Sequence, residues 1–312
     1  MEIIPLLAIV GPTASGKTAL AVALAKRCGG EVVSADSMQI YRGMEIATAK
    51  PTVSERDGVP HHLIDFLPPD AVYSVAQYAK DARRCIREIH VRGRLPILCG
   101  GTGLYVDAVL DHLQFPDVET DYALRAELER RADTEGMQRL LEELRTVDPE
   151  TAAALHPHNR GRVIRALEVY RLTGKTMGEQ RRLSRREAAP YRQCCLGLDY
   201  RDRQKLYDRI DRRVDAMLQA GLLDECRRAL DGGLSDTAAQ AIGYKELAPY
   251  FAGLLPLEDC VDRLKRATRR YAKRQLTWFR RRDGIVWLYP DTACEQEILT
   301  KAQKCMEDSG IV

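Results

Sequence analysis

Several patterns that would assign a protein to a class at once are missing from this sequence of 312 residues. Its nine cysteines form no C-x-x-C pair, and its six histidines show neither zinc-binding spacing nor an H-E-x-x-H motif. No apolar run approaches the roughly 20 residues that a membrane helix needs, and the apolar residues 3–10 follow no basic region typical of a signal peptide. We therefore expect free thiols, no zinc site, no membrane partner and a cytoplasmic location.

Acidic residues are also absent from one stretch of the chain. Residues 263–282 contain ten Lys or Arg and no Asp or Glu, although the formal net charge of the whole chain is only +3. A local basic block on a nearly neutral protein indicates either a surface for a polyanion or a solvated helix face. Composition alone leaves both interpretations open.

Short apolar segments alternate with helical ones near the start of the chain. Residues 6–10 and 31–34 have the character of buried strands, separated by a glycine-rich loop and an alanine-rich helix at 19–27. Residues 95–99 resemble a third strand, which ends in a second glycine-rich turn at 100–103. This order predicts an α/β fold, a P-loop NTPase-like parallel sheet flanked by helices that binds its ligands at the carboxyl ends of the strands.

The composition changes in the middle of the chain. Residues 119–187 are rich in Glu, Arg and Leu at helical spacing, have no strand signal, and are broken at His156-Pro157. We predict an all-helical insertion domain at 119–187, between the two parts of a catalytic core at 1–118 and 188–312. The second part begins with a strand near 194–198, and long helical stretches follow it.

The first glycine-rich loop matches the phosphate-binding motif G-x-x-x-x-G-K-[ST]. A strand precedes it and a helix follows it, which is the context in which backbone N–H groups and a helix N-terminus bind phosphate oxygens. Lys17 adds a full positive charge, and the hydroxyl of Thr18 is a predicted ligand for a Mg²⁺ cofactor. The predicted diphosphate-binding residues are Gly11, Pro12, Thr13, Ala14, Ser15, Gly16, Lys17 and Thr18.

The loop does not decide which bond of the substrate is broken. An NTPase usually has an apolar strand that ends in Asp, but the strand at 95–99 ends in glycine, and the carboxylate that follows a strand is Asp36. Asp36 is a candidate base, metal ligand or helix cap. The D-D-x-x-D cluster with which many prenyltransferases bind metal and diphosphate is absent, and Asp208 and Asp211 lie among arginines, which favours a surface ion-pair face.

A set of further segments continues in order along the chain and is specific as a set. The segments are 11–18, 34–44, 48–51, 61–65, 100–105, 159–170, 240–246 and 268–279. On these residues the chain resembles the bacterial tRNA dimethylallyltransferase (tRNA isopentenyltransferase) family. One departure is Ala47, where many relatives carry glycine, and we expect it to have little consequence.

The resemblance implies that dimethylallyl diphosphate and tRNA are the substrates. Separately from the resemblance, we expect a monomer. The dimethylallyl group would move to N6 of adenosine 37, next to the anticodon. Asp36 would act as the general base, Thr102 would lie in the channel where adenine meets the isoprenoid, and Arg165, or else Arg162, would stabilise the leaving diphosphate. Prenylation of free adenine nucleotides, a kinase-type phosphotransferase and a nucleotide-loaded RNA-binding switch are the alternatives.

The target base must leave its stack to react, so the enzyme is expected to contact a single-stranded loop. The resemblance assigns some of these contacts. The basic helix is expected to bind phosphates, and Arg269 of that helix is a further predicted phosphate contact. The predicted tRNA-binding residues are Asp36, Ser37, Met38, Gln39, Thr102, Asn159, Arg160, Gly161, Arg162, Val163, Gln240, Arg266, Arg270, Lys273 and Arg274. On another face of the same helix, the spacing of Leu264, Ala267, Tyr271 and Trp278 predicts core positions.

Overall fold

A computed structural model describes residues 3–115, 121–184 and 188–312. The chain divides into two compact units, one formed by Met1–Leu110 with Pro190–Val312 and the other by Asp111–Ala189. The second unit begins eight residues before the predicted start of the insertion at 119. The predicted boundaries are between residues 118 and 119 and between residues 187 and 188. Residues 118, 119 and 187 lie outside the described ranges.

The first unit is built on a parallel sheet of six strands, which confirms the predicted fold class. The strands are β1 (Ile4–Val10), β2 (Gly30–Ser34), β3 (His61–His62), β4 (Leu95–Gly100), β5 (Tyr191–Leu198) and β6 (Ile285–Leu288). Their order is β3-β2-β4-β1-β5-β6, and every neighbouring pair is parallel. β1 lies in the interior of the sheet and is almost wholly buried, which explains its unbroken apolar sequence.

Helices cover both faces of this sheet. Those of the first unit are α1 (Lys17–Cys28), α2 (Val53–Arg56), α3 (Val75–Val91), α4 (Gly103–Leu110) and, after the second unit, α10 (Arg203–Gln219), α11 (Leu222–Gly232), α12 (Tyr244–Phe251), α13 (Leu257–Phe279) and α14 (Glu295–Asp308). Side chains of α1 and α14 share one core with the sheet, and side chains of α3, α4, α11, α12 and α13 share another. No helix within the described ranges combines the length and apolar character needed to cross a membrane.

Local sequence signals account for two of the helix ends. Ser74 is the N-cap of α3 and forms a reciprocal capping box, in which its hydroxyl accepts from the Gln77 amide (3.2 Å) and its own amide donates to the Gln77 side chain (2.8 Å). Gly221, with φ of 98°, separates α10 from α11. These ends depend on neighbouring residues alone, which is why they are readable from sequence.

The second unit is helical throughout its regular elements within the described residues. It contains α5 (Tyr122–Thr134), α6 (Met137–Val147), α7 (Pro149–Ala153), α8 (Arg160–Thr173) and α9 (Met177–Ser184). Leu128, Leu140, Leu144, Val163 and Leu167 form the centre of its own hydrophobic core. The gap between α7 and α8 contains His156-Pro157, the predicted break.

Candidate active site

A cavity of about 240 Å³ opens in the first unit beside the carboxyl ends of β2 and β4 and the loop that follows β1. Its lining combines that loop, the turn after β2, the turn after β4 and residues of α10, α11 and α13. Parallel strands all end at one edge of the sheet, so their following loops meet there. The predicted site residues of the first unit gather around this edge.

The loop after β1 has the backbone that a phosphate-binding loop requires. Gly11 has φ of 142°, and a Cβ at this position would lie 2.5 Å from the carbonyl oxygen of Leu198, so a side chain does not fit. Thr13, Ala14, Lys17 and Thr18 line the cavity. The loop leads directly into the N-terminus of α1, whose free amides and dipole favour an anion.

Two polar side chains of the loop are suited to gain a partner from a bound anion. The Nζ of Lys17 donates to the carbonyl oxygen of Pro12 at 2.6 Å. Burial lowers the pKa of Lys17 to about 8, while the nearby Cys99 and Asp36 act in the opposite direction. The Oγ of Ser15 is buried without a hydrogen-bond partner in the part of the chain that the structure describes. An anion with several oxygens would satisfy both groups.

Arginines of α10 reach the loop, and sequence reasoning missed them. The Nε of Arg209 donates to the carbonyl oxygen of Ala14 at 3.0 Å, and the Nη1 of Arg213 lies 3.4 Å from the hydroxyl of Thr13. Burial lowers the pKa of Arg213. The surface ion-pair face predicted for this helix holds for Asp211, whose carboxylate accepts from Arg269 at 2.5 and 2.6 Å.

A usable signal for Arg213 is its position beside an apolar stripe. Leu206, Ile210 and Val214 of α10 are buried at helical spacing. Arg213 follows Ile210 by three positions, so it lies at the edge of the stripe and not on the opposite, solvated side.

Asp36 lies in the turn after β2 and lines the cavity, as do Ser37, Met38 and Gln39. Its Oδ1 accepts from the backbone amide of Met38 at 2.9 Å. Burial raises the pKa of Asp36, and the Met38 amide and the charge of Lys17 partly oppose this rise. A carboxylate whose proton affinity is raised, next to a bound anion, is suited to accept a proton.

Thr102 holds the turn that carries Asp36. Its hydroxyl oxygen accepts from the amide of Ser37 at 3.0 Å and lies 3.3 Å from the Ser37 hydroxyl, and its amide donates to the carbonyl oxygen of Ala35 at 3.1 Å. The hydrogen bonds of Thr102 therefore connect the turn after β4 with the turn after β2. Thr102 therefore helps to position the turn that carries Asp36, in addition to its predicted place in the channel.

Gln275 joins the phosphate loop to the turn after β4. Its Oε1 accepts from the amide of Thr13 at 2.8 Å, and its Nε2 donates to the carbonyl oxygen of Gly101 at 3.0 Å. Gln275 is buried in α13, and its hydrogen bond to Gly101 is buried as well. The phosphate loop and the turn after β4, which two substrates would contact, are thereby fixed relative to each other.

α13 presents different side chains from those that its spacing predicts. Leu264 is buried as expected, but Tyr271 lines the cavity. Trp278 is 39% exposed, which corrects its predicted core position. Its indole N–H donates to the carboxylate of Asp107 at 2.8 Å, so a polar partner holds the ring at the surface.

The basic residues of α13 separate into three groups. Arg266, Arg270 and Lys273 are exposed, and Arg274 lines the cavity together with Gln240 of the Ala238–Gln240 turn. Arg269 is paired with a carboxylate of α10, so its charge is compensated within the protein. The phosphate contact predicted for Arg269 is therefore less favourable than those of its exposed neighbours.

The predicted site residues of the second unit lie at 159–165, at and near the start of α8. Arg160 pairs with Asp133, and Arg162 is exposed. Arg165 donates to the buried Glu168 at 2.9 Å, within its own unit. Val163 is fully buried in the core of this unit, which corrects its predicted role because its side chain is not available to RNA. Asn159 and Gly161, the remaining predicted contacts, lie at the start of the same helix.

The lining of the cavity also includes apolar side chains. They are Ile210, Val214, Met217, Leu222, Ile242 and Leu264. The cavity thus combines the cationic groups beside the phosphate loop with hydrocarbon side chains. This combination suits an amphipathic substrate with a diphosphate head and a small apolar tail. Within the described residues, no group of three or more His, Cys, Asp or Glu side chains is arranged to hold a metal ion.

Comparison with known proteins gives one consistent family. Residues 39–282 match the family model of IPP transferases, and residues 4–70 match that of isopentenyl transferases. A tRNA dimethylallyltransferase of Halalkalibacterium halodurans is 53% identical over 283 residues, which cover 90% of each chain. That of Thermomicrobium roseum is 50% identical over 285 residues, 91% of this chain and 85% of the relative.

Solved structures are similar over nearly the whole chain. A tRNA isopentenylpyrophosphate transferase from Bacillus halodurans aligns with a TM-score of 0.73 and 48% identity, covering 98% of both chains. A eukaryotic dimethylallyltransferase, solved acting on tRNA, aligns with a TM-score of 0.80 and 29% identity over 98% of this chain and 80% of that one.

Proposed function

This chain belongs to the IPP transferase family, and on that premise we propose that it transfers a dimethylallyl group from dimethylallyl diphosphate to N6 of adenosine 37 in tRNA. The observation that carries the proposal is the composition of the cavity lining. Lys17 and Arg213 accompany the phosphate-binding loop, and apolar side chains that include Met217 and Leu222 line the same cavity. A diphosphate with a small apolar tail would contact both kinds of group.

The reaction exchanges one bond for another at the first carbon of the dimethylallyl group. The adenine N6 attacks this carbon, a C–N bond forms, and the C–O bond to the diphosphate breaks with its electron pair left on oxygen. Asp36 accepts the proton that the amine loses, and such general-base assistance contributes about 10²–10⁴-fold. Lys17, Arg213 and the loop amides stabilise the negative charge that grows on the leaving diphosphate.

Arg213 replaces Arg165 as our choice for the arginine at the leaving group. The guanidinium of Arg213 lies 3.4 Å from the Thr13 hydroxyl of the phosphate loop. The charge of Arg165 is offset by the carboxylate of Glu168 within the second unit. Among the described residues, Arg213 has no carboxylate partner at hydrogen-bond distance, and a partly buried arginine of this kind has more to gain from a diphosphate.

Mg²⁺ fits the chemistry of this end of the cavity. The hydroxyl of Thr18 lines it, and hydroxyl and diphosphate oxygens are ligands that Mg²⁺ prefers. With no cluster of carboxylates among the described residues, most ligands would come from the diphosphate and water. A bound ion would offset part of the charge of the leaving diphosphate.

The acceptor is a base that has left its stack, and the residues around Asp36 are suited to receive it. Ser37, Met38, Gln39 and Gln240 line the same cavity. The exposed cations of α13, with those at the start of α8, offer contacts for the phosphates of the anticodon loop. We propose a monomeric enzyme of the cytoplasm, where its nine free thiols would remain reduced.

The direct test incubates the protein with dimethylallyl diphosphate, Mg²⁺ and unmodified tRNA, followed by nucleoside analysis. N6-isopentenyladenosine and diphosphate should accumulate with wild-type protein and not with Asp36→Asn. Excess AMP should not compete, since a free nucleotide cannot make the contacts of an anticodon loop. Turnover of the terminal phosphoryl group of ATP without any alkylated adenosine would overturn the proposal in favour of a phosphotransferase.

A further inference from the structure

A short segment before α2 forms one wall of the cavity. Residues 45–49, here called the wall segment, follow the turn after β2, and Ala47, Thr48 and Ala49 line the cavity directly. The segment has no regular secondary structure, and Ala49 has φ of 51°. Backbone hydrogen bonds from the amide of Ala49 to the carbonyl oxygen of Ile46 and from the amide of Lys50 to that of Glu45, both 2.9 Å, close it as a turn. Side chains bind most of its remaining backbone groups.

One buried carboxylate binds the first half of the wall segment. Glu225 of α11 is 2% exposed. Its Oε2 accepts from the amides of Glu45 (2.9 Å) and Ile46 (2.7 Å), and its Oε1 accepts from the amide of Ala47 at 2.9 Å. The hydroxyl of Tyr244 lies 3.3 Å from the same Oε1. Four donors thus share two oxygens, which is close to the full capacity of a carboxylate.

The second half of the wall segment binds side chains of the reaction site. The carbonyl oxygen of Ala49 accepts from the Nη2 of Arg213 at 3.3 Å. The Nε2 of Gln39 lies 3.2 Å from this oxygen and 3.3 Å from the carbonyl oxygen of Thr48. The carbonyl that holds Arg213 against the phosphate loop is therefore only two residues beyond the last amide that Glu225 binds.

We propose that Glu225 is a positioning residue for diphosphate binding. By fixing the amides of residues 45–47, it sets the Ala49 carbonyl and, through it, the guanidinium of Arg213. The inference rests on the proposed function for its biological meaning, but its physical content is the coupling between two side chains. Glutamine at position 225 would keep one acceptor oxygen and turn an NH₂ donor towards amide donors, so the wall segment would shift.

The test is a double-mutant cycle on the full chain, with inorganic diphosphate and Mg²⁺ as the probe. Glu225→Gln should weaken diphosphate binding, measured by calorimetry, by roughly tenfold. In an Arg213→Met background the same change should weaken binding by less than about twofold, because the side chain through which Glu225 acts is gone. In turnover, Glu225→Gln should raise KM for dimethylallyl diphosphate more than it lowers kcat.

Glu31→Gln is the matched control, because Glu31 is a buried carboxylate near the amino end of β2 that accepts from His62 and Arg92. It should leave diphosphate affinity within about twofold in both backgrounds. Equal losses for Glu225→Gln with and without Arg213, or no loss at all, would overturn the proposal. If Glu225→Gln does not fold, Glu225→Asp, whose carboxylate is one methylene shorter, enters the same cycle.

Failure of the proposed function has a different signature. Wild-type protein would then form no isopentenyladenosine, while the diphosphate cycle would still report whether Glu225 and Arg213 are coupled.

Discussion

The protonation of Lys17 should control the affinity of this enzyme for diphosphate between pH 7 and pH 9. Burial lowers the pKa of Lys17 to about 8 in the absence of substrate. The side chain is therefore mostly charged at pH 7, and at pH 9 only about one molecule in ten retains the charge. Because the cation binds the anion, affinity should fall as the pH rises through this range.

The size of the effect follows from the same pKa. One pH unit above the pKa, protonating Lys17 before binding costs about 1.4 kcal/mol, which corresponds to a roughly tenfold loss of affinity. Diphosphate should raise the pKa of Lys17 when it binds, since an opposite charge favours the ammonium form. Binding at pH 9 should therefore take up close to one proton per site.

The assay is calorimetric titration with inorganic diphosphate and Mg²⁺ at several pH values, in buffers with different ionisation enthalpies. Lys17→Arg is the control, because arginine keeps its charge across this range and the variant reports the ionisation of diphosphate itself. The ratio of wild-type to variant affinity should fall about tenfold from pH 7 to pH 9. A constant ratio, or equal proton uptake by both proteins, would refute the reasoning.

Three further changes test other parts of the site. Asp36→Asn should leave diphosphate affinity within a few-fold but lower single-turnover prenyl transfer by about 10²–10⁴-fold. In the pH–rate profile of the wild type, the apparent pKa of the acidic limb should lie above the usual range for Asp, because burial raises the pKa of Asp36. Equal turnover by the variant would remove Asp36 as the base. Arg213→Met should weaken diphosphate binding by roughly tenfold or more, whereas Arg165→Met should not, and the reverse order would restore Arg165 as the residue at the diphosphate. Charge reversal at the exposed Arg270 and Lys273 should weaken tRNA binding and leave KM for dimethylallyl diphosphate unchanged. The slope of log affinity against log salt concentration should become shallower by roughly one for each phosphate that is no longer neutralised. Unaltered tRNA affinity would take this face of α13 out of the interface.

The parts of this protein that are predictable from sequence are those that depend on near neighbours. The phosphate loop is eight consecutive residues between a strand and a helix, and Ser74 and Gly221 act within one helical turn. The position of Asp36 is equally accessible, because a carboxylate directly after a parallel strand lies at the edge where ligands bind.

The parts that sequence does not predict depend on contacts between distant segments. Glu225 is separated from the amide of Ala47 by 178 positions. Its helical spacing from Leu222 places it on the buried side of α11, but that spacing does not reveal which amides it binds. Trp278 has helical spacing typical of a core residue but finds a polar partner in Asp107. Periodicity identifies a face of a helix, whereas tertiary packing decides what covers that face.

The absence of an acidic residue at the carboxyl end of β4 has a packing cause that links the fold to the chemistry. A Cβ at Gly100, the last residue of β4, would lie 2.2 Å from the carbonyl oxygen of Ala35, so the end of β4 and the turn after β2 approach too closely for an aspartate there. The same close approach lets the Thr102 amide bind Ala35 and the Thr102 hydroxyl bind Ser37. The carboxylate of the site is therefore supplied by the turn after β2, as Asp36, beside the phosphate loop. In that position it can accept a proton from a nucleophile while the loop holds the leaving group, which suits attack on carbon with departure of an intact diphosphate.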